Sequence, residues 1–144
     1  MIEQDTIKLL RECDAGVKMG IESIDDILDK VEDKEFKRLL IVCKDEHSKL
    51  QNEIEELLND YHDEGKEPQL IAKGMSWMKT NMHLAVDKSD QTIADLMTDG
   101  CNMGVKSLNK YLNKYEAASE KTKDIAKRLI NLEEKLAIDI RKFL

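Results

Sequence analysis

Residues 33–61 read DKEFKRLLIVCKDEHSKLQNEIEELLNDY, and this stretch decides the fold. Phe36, Leu40, Cys43, His47, Leu50, Ile54, Leu57 and Tyr61 recur at alternating steps of four and three. That spacing is a helix seam. A helix of about 28 residues is ~42 Å long, and its apolar face needs partners of similar length to cover it. One member of the seam is polar: His47 stands in the middle, where a purely structural sequence would place leucine.

Working outward, the preceding stretch carries Ile7, Leu10, Asp14, Val17, Ile21, Ile24, Leu28 and Val31 on a second seam, broken only by Asp14. The link Val31-Glu32-Asp33 is very short and Asp33 is a good N-cap, so the first two helices form an antiparallel pair. Downstream, Asp63-Glu64-Gly65 supplies a helix-ending glycine near His62, and Pro68 suits the first turn of the next helix. From Gln69 to Val86 the stripe is Ile71, Met75, Met78, Met82 and Val86, with Trp77 beside it. Asp87 or Ser89 then caps a helix with Ala94, Met97, Cys101, Gly104, Leu108, Tyr111 and Tyr115 on its seam. Ser119 caps the last, whose edge is Ala126, Leu129, Glu133, Leu136, Ile140 and Phe143, within a wider apolar face that includes Ile125 and Leu132. Five helices are therefore expected, near 6–30, 34–62, 68–86, 89–117 and 119–143, with no strand.

Two tightly linked antiparallel pairs, joined by a segment with its own ~27 Å helix, have one economical packing. The connecting helix carries the chain back along the bundle, which makes helices two and four parallel: an up-down-down-up four-helix bundle with a fifth, shorter helix in the long crossover. An elongated hairpin array or a dimeric coiled coil is the alternative.

Composition narrows the function. The 144 residues are 41% hydrophobic and 37% charged, enough for one soluble, helix-rich domain. A net charge of -7 and only six aromatic residues, one Trp, three Tyr and two Phe, argue against nucleic acid. No apolar run reaches the roughly 18 residues of a membrane span. The start Met1-Ile2-Glu3-Gln4-Asp5 lacks the basic and hydrophobic regions of a signal peptide, so the cytoplasm is the expected location. Three cysteines without close spacing read as reduced, buried, small apolar residues.

The seam breaks at Asp14 and His47, the run Tyr61-His62-Asp63-Glu64-Gly65-Lys66-Glu67-Pro68 and the stretch Ala94-Asp95-Leu96-Met97-Thr98-Asp99-Gly100 give the chain a family likeness. It resembles the ferritin-like superfamily, in particular the small bacterial ferritin-like domains of unassigned function. The resemblance supports the bundle topology. Di-iron members place a Glu on each of two helices and a Glu-x-x-His on each of the other two. Here the residues three before His47, His62 and His83 are Lys44, Asn59 and Thr80, so the usual ligand set is missing.

Counting from the short links places Asp14, His47 and Glu133 in one mid-bundle layer, with Gly100 and Gly104 leaving space opposite Glu133. A buried carboxylate needs a partner, so Asp14 is expected to hydrogen-bond His47 or water. Two readings follow. In the first, the chain is a non-enzymatic bundle that acts by binding another protein or itself, with no cofactor, and Gly100 and Gly104 serve only close helix packing. In the second, Asp14, His47 and Glu133 form an atypical site for Fe, Mn or Zn, a set compatible with each metal and too small to choose among them. A homodimer is favoured over a monomer, because the crossover helix presents both a methionine stripe and Trp77.

Overall fold

The computed structural model describes residues 2–68 and 77–144, and among these every regular element is helical. The helices are α1 (Ile2–Leu28), α2 (Lys34–Asp60), α3 (Trp77–Leu84), α4 (Asp90–Lys114) and α5 (Glu120–Asp139), followed by a 3₁₀ turn, Arg141–Phe143. Three of these starts have a chemical cause in a capping side chain. Asp33, Ser89 and Ser119 sit in extended or near-extended backbone and accept hydrogen bonds from the N–H groups of Phe36, Thr92 and Thr122, satisfying donors that a helix start leaves open. Ser89 takes the cap, and Asp87 supports it by accepting from the Ser89 N–H at 2.6 Å.

The end of α2 departs from expectation. The helix closes at Asp60, and the left-handed residue just beyond it is His62, at φ 54°, with the Asp63 N–H returning to the Leu58 carbonyl. Gly65, expected as the helix stop, instead makes the turn of the following strap at φ 84°. The seam also drifts. Phe36, Leu40, Cys43, His47, Leu50 and Ile54 are buried in order, but the next buried residue is Leu58 rather than Leu57, as a straight helix of 3.6 residues per turn requires.

Two ends of the bundle are fixed by side-chain contacts between links. The Glu32 and Asp33 N–H groups both donate to the Asp90 carboxylate, at 2.9 and 2.8 Å, so the α1–α2 link meets the start of α4. At the opposite end the Ala117 and Ser119 N–H groups donate to Asp5 and Thr6, so the α4–α5 link meets the start of α1. Phe143 stacks on Phe36 with ring centroids 4.6 Å apart, which closes the end of α5 over the start of α2.

The buried apolar residues form two clusters. One gathers Ile24, Phe36, Leu40, Ile93, Leu136 and Ile140; the other gathers Leu9, Val17, Leu50, Ile54, Leu108 and Ile125. The sequence explains the gap between them: His47 falls between Cys43 and Leu50 on α2, and Glu133 between Ile130 and Leu136 on α5, so a polar layer separates the clusters.

α3 packs on both α1 and α4. Met78 and Met82 are buried in the first cluster, so these members of the methionine stripe are consumed within the chain and do not supply the exposed apolar face from which a dimer was expected. Val86 lies past the end of α3 and is fully exposed, with Leu84 also exposed. Ile71 and Met75, placed on the same stripe by the sequence, lie outside the described residues. No helix among the described residues is long and apolar enough to cross a membrane.

Candidate functional site

His47 is 1% exposed and both ring nitrogens are engaged. Nδ1 lies 2.8 Å from the Cys43 carbonyl oxygen one turn earlier; because a carbonyl only accepts, this nitrogen carries a proton and donates it. Nε2 lies 2.9 Å from Oε1 of Glu133, which comes in from α5. Burial opposes a charge on the ring, but the contact with the Cys43 side chain, whose Sγ lies 3.5 Å from Nδ1, and the hydrogen bond with Glu133 outweigh it and raise the pKa to about 10. The pair is an imidazolium donating to a carboxylate, with no net charge.

Gly20 makes the pair sterically allowed. A Cβ on this α1 residue would stand 2.7 Å from Cδ2 and Nε2 of His47 and 3.4 Å from Glu133 Oε1, so only hydrogen leaves room for the ring. Cys101, on α4, donates toward the same carboxylate; burial, followed by the Glu133 charge, pushes its pKa well above the usual thiol range. This thiol stays protonated and is a poor nucleophile.

The pair lies at the floor of a cavity of about 400 Å³. Its long walls are α1, through Ala15, Gly16, Gly20 and Ser23, and α4, through Gly100, Gly104 and Ser107; side chains this short cannot fill the space between two helices. Methionines 19, 78, 97 and 103 and Trp77 supply apolar surface. Gly100 and Gly104 are not forced by crowding. A Cβ at Gly100 would be 3.6 Å from Trp77 and one at Gly104 3.7 Å from Glu133, ordinary contact distances, so the expected alternative of close helix approach does not account for these two glycines.

Asp14 is elsewhere. It is 1% exposed, and its Oδ2 accepts from the Lys18 ammonium at 2.8 Å and from the Lys66 backbone N–H at 3.0 Å. The expected bond between Asp14 and His47 is therefore replaced by two separate sets of partners. Asp14 stands 18 residues before the centre of the α1–α2 link and His47 15 after it, an offset of most of a helical turn, and Asp14 is taken up by a strap that arrives from beyond α2. The other oxygen of Asp14, Oδ1, is buried with no hydrogen-bond partner among the described residues.

Asp14 anchors a strap. Residues 63–67, which lead from α2 toward α3, are tied to α1 by Arg11 with Asp63, Glu12 with Lys66 and Lys18 with Glu67, as well as by the Asp14 bond. Asp63 also accepts from the Gly65 N–H at 2.8 Å, closing the turn. A side chain at Gly65 would meet Asp14 Oδ2 at 2.3 Å, so this glycine is required by both its positive φ and its contact. The strap delivers Lys66 and Pro68 to the cavity's edge.

Of the three residues proposed from sequence as a metal site, the structure unites His47 and Glu133 and leaves Asp14 apart. Among the described residues no group of three or more His, Cys, Asp and Glu side chains is arranged to hold a metal ion. Sequence reasoning missed Gly20, although Gly16 and Gly20 repeat on α1 the four-residue glycine spacing that was noticed at Gly100 and Gly104. Compared with family models, curated proteins and solved structures, the chain matches none.

Proposed function

We propose that this chain is a binding protein, without catalytic activity of its own, that holds a small and mainly apolar molecule in the cavity between α1 and α4. The observation that carries the reading is the cavity itself: about 400 Å³ of space with methionine and tryptophan walls, within the size range of natural ligand sites. Methionine suits such a wall because its flexible thioether adapts to the shape it meets. The floor favours binding over catalysis. Both nitrogens of His47 are committed as donors, so the ring offers no free base, and the Cys101 thiol is held protonated.

The end contacts at Asp90, Asp5 and Thr6 and the Phe36–Phe143 stack support an up-down-down-up bundle in which α2 and α4 run parallel and the strap with α3 forms the crossover. That is the arrangement of the ferritin-like class, in which sites lie between facing helices.

Burying about 250 Å² of apolar ligand surface at about 25 cal/mol/Å² gives about 6 kcal/mol, a Kd in the tens of micromolar. The test is titration with 1-aminoanthracene, a neutral apolar dye, read by energy transfer from Trp77, the chain's single tryptophan. Saturable transfer in the wild type and its loss in Gly104→Leu, whose side chain would enter the cavity, is the expected result. No saturable transfer, or the same affinity in Gly104→Leu, refutes the proposal.

A further inference from the structure

Glu133 uses its two oxygens differently. Oε1 faces α1, lying 3.4 Å from the position of a Gly20 Cβ, and takes the His47 Nε2 proton. Oε2 faces α4, lying 3.9 Å from the position of a Gly104 Cβ; Gly104 and Glu133 both line the cavity, and among the described residues the donor beside this carboxylate other than His47 is the weakly donating Cys101 thiol. A carboxylate has about four acceptor positions. An entirely apolar ligand would strip water from the free ones and leave them unmatched, a penalty that falls on the ligand's affinity.

From this we infer that the ligand is an uncharged molecule with a mainly apolar body and one hydrogen-bond donor, a hydroxyl or a neutral N–H, that reaches Oε2 of Glu133. The inference rests on the binding reading and specifies its ligand. Charge on the ligand is disfavoured in both signs. Because His47 already neutralises Glu133, an ammonium would leave one uncompensated positive charge in a site of low dielectric, and a carboxylate would meet the Glu133 oxygen directly. The ion pair at the floor thus offers an ionised acceptor without net charge, which does not attract cations as a lone carboxylate would.

The experiment is calorimetric titration of the wild type and Glu133→Leu with four molecules that share one aromatic body: naphthalene, 2-naphthol, 2-naphthoate and protonated 2-(aminomethyl)naphthalene, at pH 7. In the wild type 2-naphthol binds about 10-fold or more tighter than naphthalene, as expected for a neutral donor meeting a charged acceptor. Both charged probes bind more weakly than 2-naphthol. In Glu133→Leu the preference for 2-naphthol over naphthalene disappears while naphthalene still binds, which also reports that the cavity is intact. Equal wild-type affinities for naphthalene and 2-naphthol overturn the inference and leave the binding reading standing. Tightest binding of the ammonium overturns it too, since Glu133 would then act as an uncompensated anion. If none of the four binds, both readings fall. The wild-type ranking alone decides the matter should Glu133→Leu fail to fold.

Discussion

Three glycines of the cavity wall, Gly20, Gly100 and Gly104, occupy helix interiors, so each replacement by alanine carries the same intrinsic gain of about 1 kcal/mol in helix propensity. What the new methyl group meets differs. At Gly100 and Gly104 it arrives at 3.6 and 3.7 Å from its nearest neighbour, so Gly100→Ala and Gly104→Ala should stabilise by about 0.5–1 kcal/mol. At Gly20 it arrives 2.7 Å from a ring that hydrogen bonds hold at both nitrogens. The ring must move and give up Glu133. Breaking a buried pair costs 3–5 kcal/mol in general, and about 2–3 kcal/mol is reasonable here because Glu133 keeps 13% of its side-chain surface exposed. Gly20→Ala should therefore destabilise by about 1–2 kcal/mol, placing it about 2–3 kcal/mol below its two counterparts, or about 6–9 °C in Tm for a chain of this size. Urea unfolding and thermal melts of the three variants supply the comparison. If Gly20→Ala is as stable as Gly100→Ala, the ring is not held where these contacts place it.

Stability should also depend on pH in a direction set by His47. Its pKa is higher in the folded chain, about 10, than in the unfolded one, so the folded state holds the proton more tightly; this stabilisation is complete below about pH 6.5 and is lost as pH rises toward 10. Cys101, raised by burial, adds to the loss once free thiols ionise. The unfolding free energy should fall from about pH 6.5 to 8, below thiol ionisation, by an amount on the order of 1 kcal/mol per pH unit, and His47→Leu should flatten that part of the fall; a slope that persists there in His47→Leu contradicts the assignment. At the strap, Asp14→Ala removes the acceptor of the Lys66 N–H and should cost about 1–3 kcal/mol and raise hydrogen exchange at Lys66 selectively, whereas uniform exchange along α1 would argue against an anchoring role. Gly65→Ala should be at least as damaging, since it combines a strained φ with a clash against Asp14.

Much of the helical pattern was legible because its causes are local. The seams at Phe36–Ile54 and Ala94–Leu108 follow from periodicity, and the caps at Asp33, Ser89 and Ser119 follow from side-chain chemistry. The pairing of His47 with Glu133 was foreshadowed by counting equal distances from two short links, and the space opposite Glu133 by Gly100 and Gly104. The position of Asp14 was not, because it depends on a nonlocal strap: nothing in residues 63–67 states that they fold back along α1, and a seam count assigns height without saying which neighbour stands there. The same limit hid Gly20. A glycine in a helical pattern signals reduced bulk, but the ring that requires it comes from α2, 27 residues later. The end of α2 went astray for a different reason, since His62 took the left-handed position that Gly65 was expected to fill.

The most direct test is a crystal of the chain grown with 6-bromo-2-naphthol, with the bromine located by its anomalous scattering. The account predicts one peak between α1 and α4, among the methionines of the wall, with the naphthol oxygen at hydrogen-bond distance from Glu133 Oε2. A bromine peak only on the outer surface, with the space beside Gly104 unoccupied, would contradict it.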